Sequence, residues 1–159
     1  MMDCKKALSD VAVCGDIEKA MNWLRMKGIA RSSQGERVSQ EGLIALLYTP
    51  TVCTLIEVNS ETDFVGKNEK FHSFVAMLAN VCNKTMPSEG AIDVTTLLKQ
   101  SAGEGYIAGE TIAESLGDIV SQIRENIVIR RAVNISTSTS SSVLAGYEFD
   151  SSIFLEEAI

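Results

Sequence analysis

The sequence predicts an α+β fold, and three observations carry that prediction. Val52, Thr54, Ile56 and Val58 fall on alternate positions, as in a half-buried strand. Ile112, Leu116, Ile119, Val120, Ile123 and Ile127 form the clearest helical stripe in the chain. Strand-like and helix-like stretches follow one another without a repeating strand-helix-strand rhythm, which disfavours a doubly wound sheet. The expected architecture is an N-terminal helical hairpin followed by a small mixed core of antiparallel strands and packed helices.

Residues 3–13 read as a short helix, with Asp3 as cap and Ala7, Leu8 and Val11 as its apolar stripe. Cys14-Gly15-Asp16 punctuates. Asp16 caps a second helix whose face is Ile17, Ala20, Met21 and Leu24, with Gly28 as its stop. Two short amphipathic helices leave apolar surface uncovered, so a third helix or a partner is expected to pack there. Residues 29–40 lose periodicity and read as a linker. Residues 41–49 and 51–59 are strand candidates, joined as an antiparallel hairpin by Thr49-Pro50, where the proline suits a turn or edge.

A polar elbow follows, then a helix over 66–84 carrying Phe71, Phe74, Val75, Leu78 and Cys82 at helical spacing. A short helix is expected over 94–100, the long stripe from Ile112 next, and a β-branched strand over 128–136. Residues 137–142 are almost pure Ser and Thr, a turn or flexible link from which 143–149 pairs back as the second arm of a hairpin. The chain divides into residues 1–28 (helical hairpin), 29–40 (linker), 41–149 (core) and 150–159 (divergent tail).

With 159 residues and 45% hydrophobic content, the chain has enough material for one core, or for a small domain with a satellite. A net charge of -7 argues against nucleic acid or an anionic membrane as partner and favours a protein. No apolar run approaches the roughly 20 residues of a membrane span, and the N-terminus lacks a signal peptide's order, so the chain reads as soluble. Cys4, Cys14, Cys53 and Cys82 are scattered without a Cys-x-x-Cys pair, and His72 is the single histidine. A metal site has no ligand spacing behind it; reduced thiols acting as small hydrophobes are the simpler reading.

Glu57, Glu61 and Asp63 cluster with Asn59 and Ser60, a pattern compatible with acid-base work or a hard cation, but acidic turns are common in a chain with 21 Asp and Glu. His72 reads as solvated. A single histidine supports no nucleophilic triad, and no Gly-x-x-x-x-Gly-Lys-Ser/Thr loop occurs. Within the elbow, Phe64 stands where core-building alone would place something small. Either it is exposed beside Asp63 to wedge into a partner, or it folds back onto its own sheet. Lys5 and Lys6 are similarly open between a solvated helix face and a contact to an acidic partner.

Met1-Met2-Asp3-Cys4-Lys5-Lys6-Ala7-Leu8, Gly15-Asp16-Ile17-Glu18-Lys19-Ala20, Trp23-Leu24-Arg25, Glu41-Gly42-Leu43-Ile44, Glu57-Val58-Asn59-Ser60-Glu61-Thr62-Asp63-Phe64-Val65 and Glu125-Asn126-Ile127-Val128-Ile129-Arg130-Arg131 stand in order along the chain. This series resembles translation elongation factor Ts over most of residues 1–149. The resemblance implies a guanine-nucleotide exchange factor for elongation factor Tu, without covalent chemistry or a cofactor, whose residues 1–28 form a ubiquitin-associated-like module. It implies that Thr62, Asp63, Phe64 and Val65 enter beside the partner's nucleotide-binding domain, Phe64 wedging between helices and Asp63 disturbing the magnesium environment, while Met2 and Lys5 contact the same domain.

Against the family pattern, the first helix of the module is expected before Met1, the distal half of the core beyond about Phe149, and Phe149 stands where the family's Tyr-x-His-Gly stretch has histidine. The chain thus reads as a fragment or shortened member, with no homodimer implied. A module that grips elongation factor Tu or another partner without exchange is the alternative. The four cysteines and the Ser/Thr run over 136–142 point to the mitochondrial matrix, with bacterial cytoplasm or plastid as alternatives.

Overall fold

The structure, a computed structural model, describes residues 2–33, 39, 41–49, 51–87, 89–103, 111–137, 142–145 and 152–156. Helix α1 (Met2–Ser9) and helix α2 (Ile17–Ser33) form the expected hairpin. Asp10 organises the turn between them. Its carbonyl oxygen accepts from the Val13 and Cys14 amides (3.0 and 2.9 Å), its Oδ1 from the Ala12 amide (2.9 Å), and its Oδ2 from the Trp23 indole (3.1 Å). Asp16 caps α2 by accepting from the Lys19 amide at 3.2 Å. Asp3 instead pairs with Lys27 at 2.5 Å.

Two expectations about the hairpin change. Helix α2 runs through Gly28 to Ser33, because an interior glycine costs a helix only about 1 kcal/mol and α2 packs lengthwise against a core helix. The apolar stripe is also mostly outside: Leu8, Val11, Ile17 and Met21 are exposed, and the interior consists of Ala7, Val13 and Ala20 with Trp23 and Leu24 partly buried against them. Helix α1 ends at Ser9, so Val11 sits in the turn and loses its place on a helix face.

Strand β1 (Glu41–Tyr48) and strand β2 (Val52–Ser60) pair antiparallel from Glu41 opposite Ser60 to Tyr48 opposite Cys53. Thr49 closes the turn, its amide donating to the Val52 carbonyl and its hydroxyl oxygen accepting from the Val52 amide, both at 2.9 Å; Pro50 lies outside the described residues. Helix α3 (Glu69–Thr85) follows the elbow, then strand β3 (Gly90–Ile92), the short helix α4 (Val94–Leu97), helix α5 (Ile112–Ile123), strand β4 (Ile127–Ser136) and strand β5 (Ser152–Glu156). The five strands form one sheet in the order β3-β4-β2-β1-β5, antiparallel except for β5, which runs parallel to β1. The α+β class therefore holds. Helix α4 is shorter than expected, and β3 was not anticipated. Nor was β5, which falls within the stretch read as a tail. Residues 143–145 form no strand, and 146–149, the rest of that expected hairpin arm, lie outside the described residues.

One face of the sheet carries the core. Leu43, Ala45, Leu47, Ile56, Val58, Ile127, Ile129 and Ala132 pack against Phe71, Phe74, Val75, Leu78 and Cys82 of α3 and against Ile112, Leu116, Ile119 and Val120 of α5. Asn134 is buried among them yet satisfied: its Oδ1 accepts from the Thr54 hydroxyl (2.8 Å), and its Nδ2 donates to the carbonyls of Cys82 (3.0 Å) and Pro87 (2.9 Å). That network locks the end of α3 to the sheet. Helix α5 starts on a reciprocal cap between Thr111 and Glu114 and stops at Arg124, which adopts the left-handed conformation (φ 67°). The helical stripe consequently ends at Ile123, and Ile127 belongs to β4.

Candidate functional site

The candidate site is the elbow between β2 and α3. At the end of β2, the Ser60 side chain is fully buried and its hydroxyl donates to the Thr62 carbonyl at 3.0 Å, turning the chain out of the sheet. Glu125, just past α5, receives Thr62 with both carboxylate oxygens: the Thr62 amide donates to Oε2 at 3.0 Å and the Thr62 hydroxyl to Oε1 at 2.7 Å. Glu61 reaches the opposite way, its Oε1 accepting from the Asn126 amide at 3.0 Å. Charge-assisted bonds of this kind are shorter and stronger than neutral ones.

Asp63 and Phe64 follow immediately and point outward. Asp63 is exposed, and Phe64 is 75% exposed. Leaving a phenyl ring in water forgoes roughly 2 kcal/mol of burial. Its neighbour Val65, 3% exposed, is tucked into the core cluster. The chain then makes a 3-10 turn (Val65–Lys67) in which the Lys67 amide donates to the Phe64 carbonyl at 3.1 Å and the Asn68 amide to the Val65 carbonyl at 3.0 Å. Asn68 caps α3 through the Lys70 amide at 2.9 Å. The His72 Nε2 meets the Gly66 carbonyl at 2.5 Å, which requires the proton on Nε2. His72, expected to be solvated, is half-buried and braces the loop instead.

The acidic cluster resolves into separate structural tasks. Glu57 pairs with Arg131 at 2.6 Å and lies 3.7 Å from Arg130; Glu61 holds the Asn126 amide; Asp63 faces solvent. Among the described residues, no three His, Cys, Asp or Glu side chains are grouped to hold a metal ion. Cys53 and Cys82 are buried, and burial pushes the Cys82 thiol up to about 12, so it stays protonated and acts as a small apolar side chain. Cys4 and Cys14 are exposed. Met2 and Lys5, the other residues read as partner contacts, are exposed on α1, an element separate from the 62–65 loop. Sequence reasoning did not single out Glu125, Asn68 or His72 as supports. The Thr62–Glu125 pairing spans 63 positions, and no periodicity reaches that far.

The family model described as "Elongation factor TS" matches residues 61–152, more than half of the chain, beginning at Glu61 of the elbow. Among curated proteins, elongation factor Ts of Rhodospirillum centenum is 42% identical over 139 residues, covering 87% of this chain and 42% of that protein. Elongation factor Ts of Sphingopyxis alaskensis is 41% identical over 148 residues (92% of this chain, 44% of that protein), and that of Gluconobacter oxydans is 38% identical over 148 residues (92% and 45%). The chain thus spans less than half the length of these relatives. All three are bacterial, so the expectation of a mitochondrial protein finds no support in them; two of the four cysteines that motivated it are core filling. The chain belongs to the elongation factor Ts family.

Proposed function

We propose that the chain serves translation elongation by binding elongation factor Tu loaded with GDP and promoting release of the nucleotide, with the loop of Thr62, Asp63, Phe64 and Val65 as its working tip. The observation that carries this reading is the loop itself: an aromatic ring 75% exposed beside a carboxylate, held on a pinned support, in a member of this family. Val65 anchors the loop in the core, Thr62 ties it to Glu125, and Phe64 enters a cleft of the partner while Asp63 perturbs the charge around the nucleotide's magnesium. GDP is held by phosphate and metal contacts, so weakening either favours its release. By linkage, GDP weakens the factor's binding by the same factor. No covalent bond is made or broken. Met2 and Lys5 extend the contact from α1. The helical hairpin, whose second helix runs to Ser33, acts as a ubiquitin-associated-like module beside a core that includes β5. The bacterial cytoplasm is the compartment that fits the relatives.

The test is release of fluorescent GDP from bacterial elongation factor Tu. Acceleration by the chain, reduced at least about tenfold by Phe64→Ala or Asp63→Ala with folding unchanged, is the expected outcome, on the scale of losing a buried anchor at an interface. A release rate no faster than the spontaneous one overturns it. The second reading, a module that grips without exchange, draws on the apolar side chains exposed along the hairpin, Met2, Leu8, Val11, Ile17, Met21 and Met26. It requires complex formation with unaltered GDP release.

A further inference from the structure

Two carboxylates cross beneath the exposed tip. Glu61, on the loop side, accepts from the Asn126 amide; Glu125, on the far side, accepts from the Thr62 amide and hydroxyl. Each acid therefore satisfies a backbone amide one residue beyond the other acid, a reciprocal arrangement with the logic of a capping box but joining segments more than 60 positions apart. We infer that Glu125 is a positioning residue: with Glu61 it forms a clasp that fixes the direction in which Asp63 and Phe64 leave the protein. This inference rests on the proposed exchange function for its consequence, and on geometry for the clasp.

Three features set the clasp apart from an ordinary surface contact. The two Glu125 bonds go to Thr62, the residue immediately before the exposed pair, so displacement there is passed to Asp63 without an intervening hinge. Glu125 and Thr62 are both partly shielded from solvent, where a charge-assisted bond counts for more than on an open surface. The opposite flank is fixed independently, by buried Val65 and by His72 on the Gly66 carbonyl. Only two residues lie between the supports. A wedge fixed at both flanks loses little freedom when it enters a partner, which is the benefit of preorganisation.

Hydrogen exchange and GDP release, measured on the same variants, test the clasp separately from the function. In Glu125→Ala the Thr62 amide loses its acceptor directly, so the informative amide is Asn126, whose acceptor Glu61 is untouched. If the two acids act as one unit, exchange at Asn126 rises about tenfold, the scale of one charge-assisted bond, while α3 amides are unchanged. The maximal rate of GDP release from elongation factor Tu falls by a similar factor, with a smaller change in the concentration giving half the maximal rate. Glu125→Gln, which keeps one acceptor oxygen, falls between. Unchanged exchange at Asn126 in Glu125→Ala overturns the clasp. Faster exchange with unchanged release, where Phe64→Ala does slow release, overturns the positioning role. A parent chain that leaves GDP release at its spontaneous rate removes the functional reading, while the Asn126 amide still decides the clasp. Should Glu125→Ala not fold, Glu125→Gln carries the same comparison.

Discussion

The helical hairpin and the sheet with its helices bury their apolar side chains in opposite proportions. In the hairpin the interior is Ala7, Val13 and Ala20, while Val11 (90% exposed) and Ile17 (71%) stand in solvent. In the core, Phe71, Phe74, Leu78, Ile112 and Ile127 are at most 1% exposed. Three small side chains bury too little area to offset the ordering of two helices. The hairpin therefore depends on its neighbour: α2 lies along α5, and Arg25 grips Asp118 with two bonds of 2.7 and 2.8 Å. The sheet unit, with its large buried side chains, is the scaffold. The hairpin is a surface carried on it, and among the described residues Phe64 is the scaffold's exposed phenylalanine.

This contrast breaks most visibly at the phenylalanines. Phe74→Ala removes a side chain that is 1% exposed in the centre of the core and is expected to cost about 3–5 kcal/mol. Phe64→Ala, equal in chemistry, is expected to change stability by less than about 0.5 kcal/mol. Urea unfolding followed by circular dichroism measures both; similar losses for the two would mean that Phe64 is packing. Next in size is Gly42. It sits in β1 at φ 138°, and a Cβ there would come within 2.1 Å of the Val58 carbonyl oxygen. Because the obstacle is backbone, Gly42→Ala is expected to cost about 3 kcal/mol, read in the same unfolding curves.

How much of this was legible in the sequence follows the range of the forces involved. The β1–β2 hairpin, α3 and α5 were readable because alternation and helical spacing are local. Strand β3, three residues long, and β5, parallel to a partner a hundred positions away, carry almost no local signal. Phe64 stood out because a large aromatic in a polar turn is locally odd. Its supports did not: Glu125 and His72 read as ordinary polar residues until the fold brings them to the loop. The hairpin's stripe misled for a related reason, since Leu8, Val11, Ile17 and Met21 have the right spacing for burial but no element over them among the described residues.

A smaller effect sharpens the dependence of the hairpin on the core. Trp23, the only tryptophan, belongs to the hairpin and donates to Asp10, so its fluorescence reports that unit while circular dichroism reports the whole chain. Arg25 and Asp118 are less than a third exposed. Their coupling in a double-mutant cycle is expected to be about 1 kcal/mol, at the upper end for a partly exposed pair with bidentate geometry. In Arg25→Ala the Trp23 transition should move to lower urea than the circular dichroism transition. Coincident transitions would mean that the hairpin is held by other contacts along α2 and α5.

The smallest expected effect has the opposite sign. Arg124 holds φ 67° and ψ 22° at the end of α5, a left-handed conformation that a side chain with a Cβ adopts at a cost and glycine adopts freely. Glycine also makes the unfolded chain more flexible, which offsets part of the gain. Arg124→Gly is therefore expected to stabilise the chain by about 0.5–1 kcal/mol, seen as a higher urea midpoint. The substitution leaves Glu125 in place, and glycine readily holds the same backbone angles, so the Thr62 and Asn126 amides should keep their protection. A lower midpoint, or faster exchange at those amides, would show that the arginine side chain itself supports the turn. The strained backbone at Arg124 would then belong to the loop's bracing, as Glu125 does.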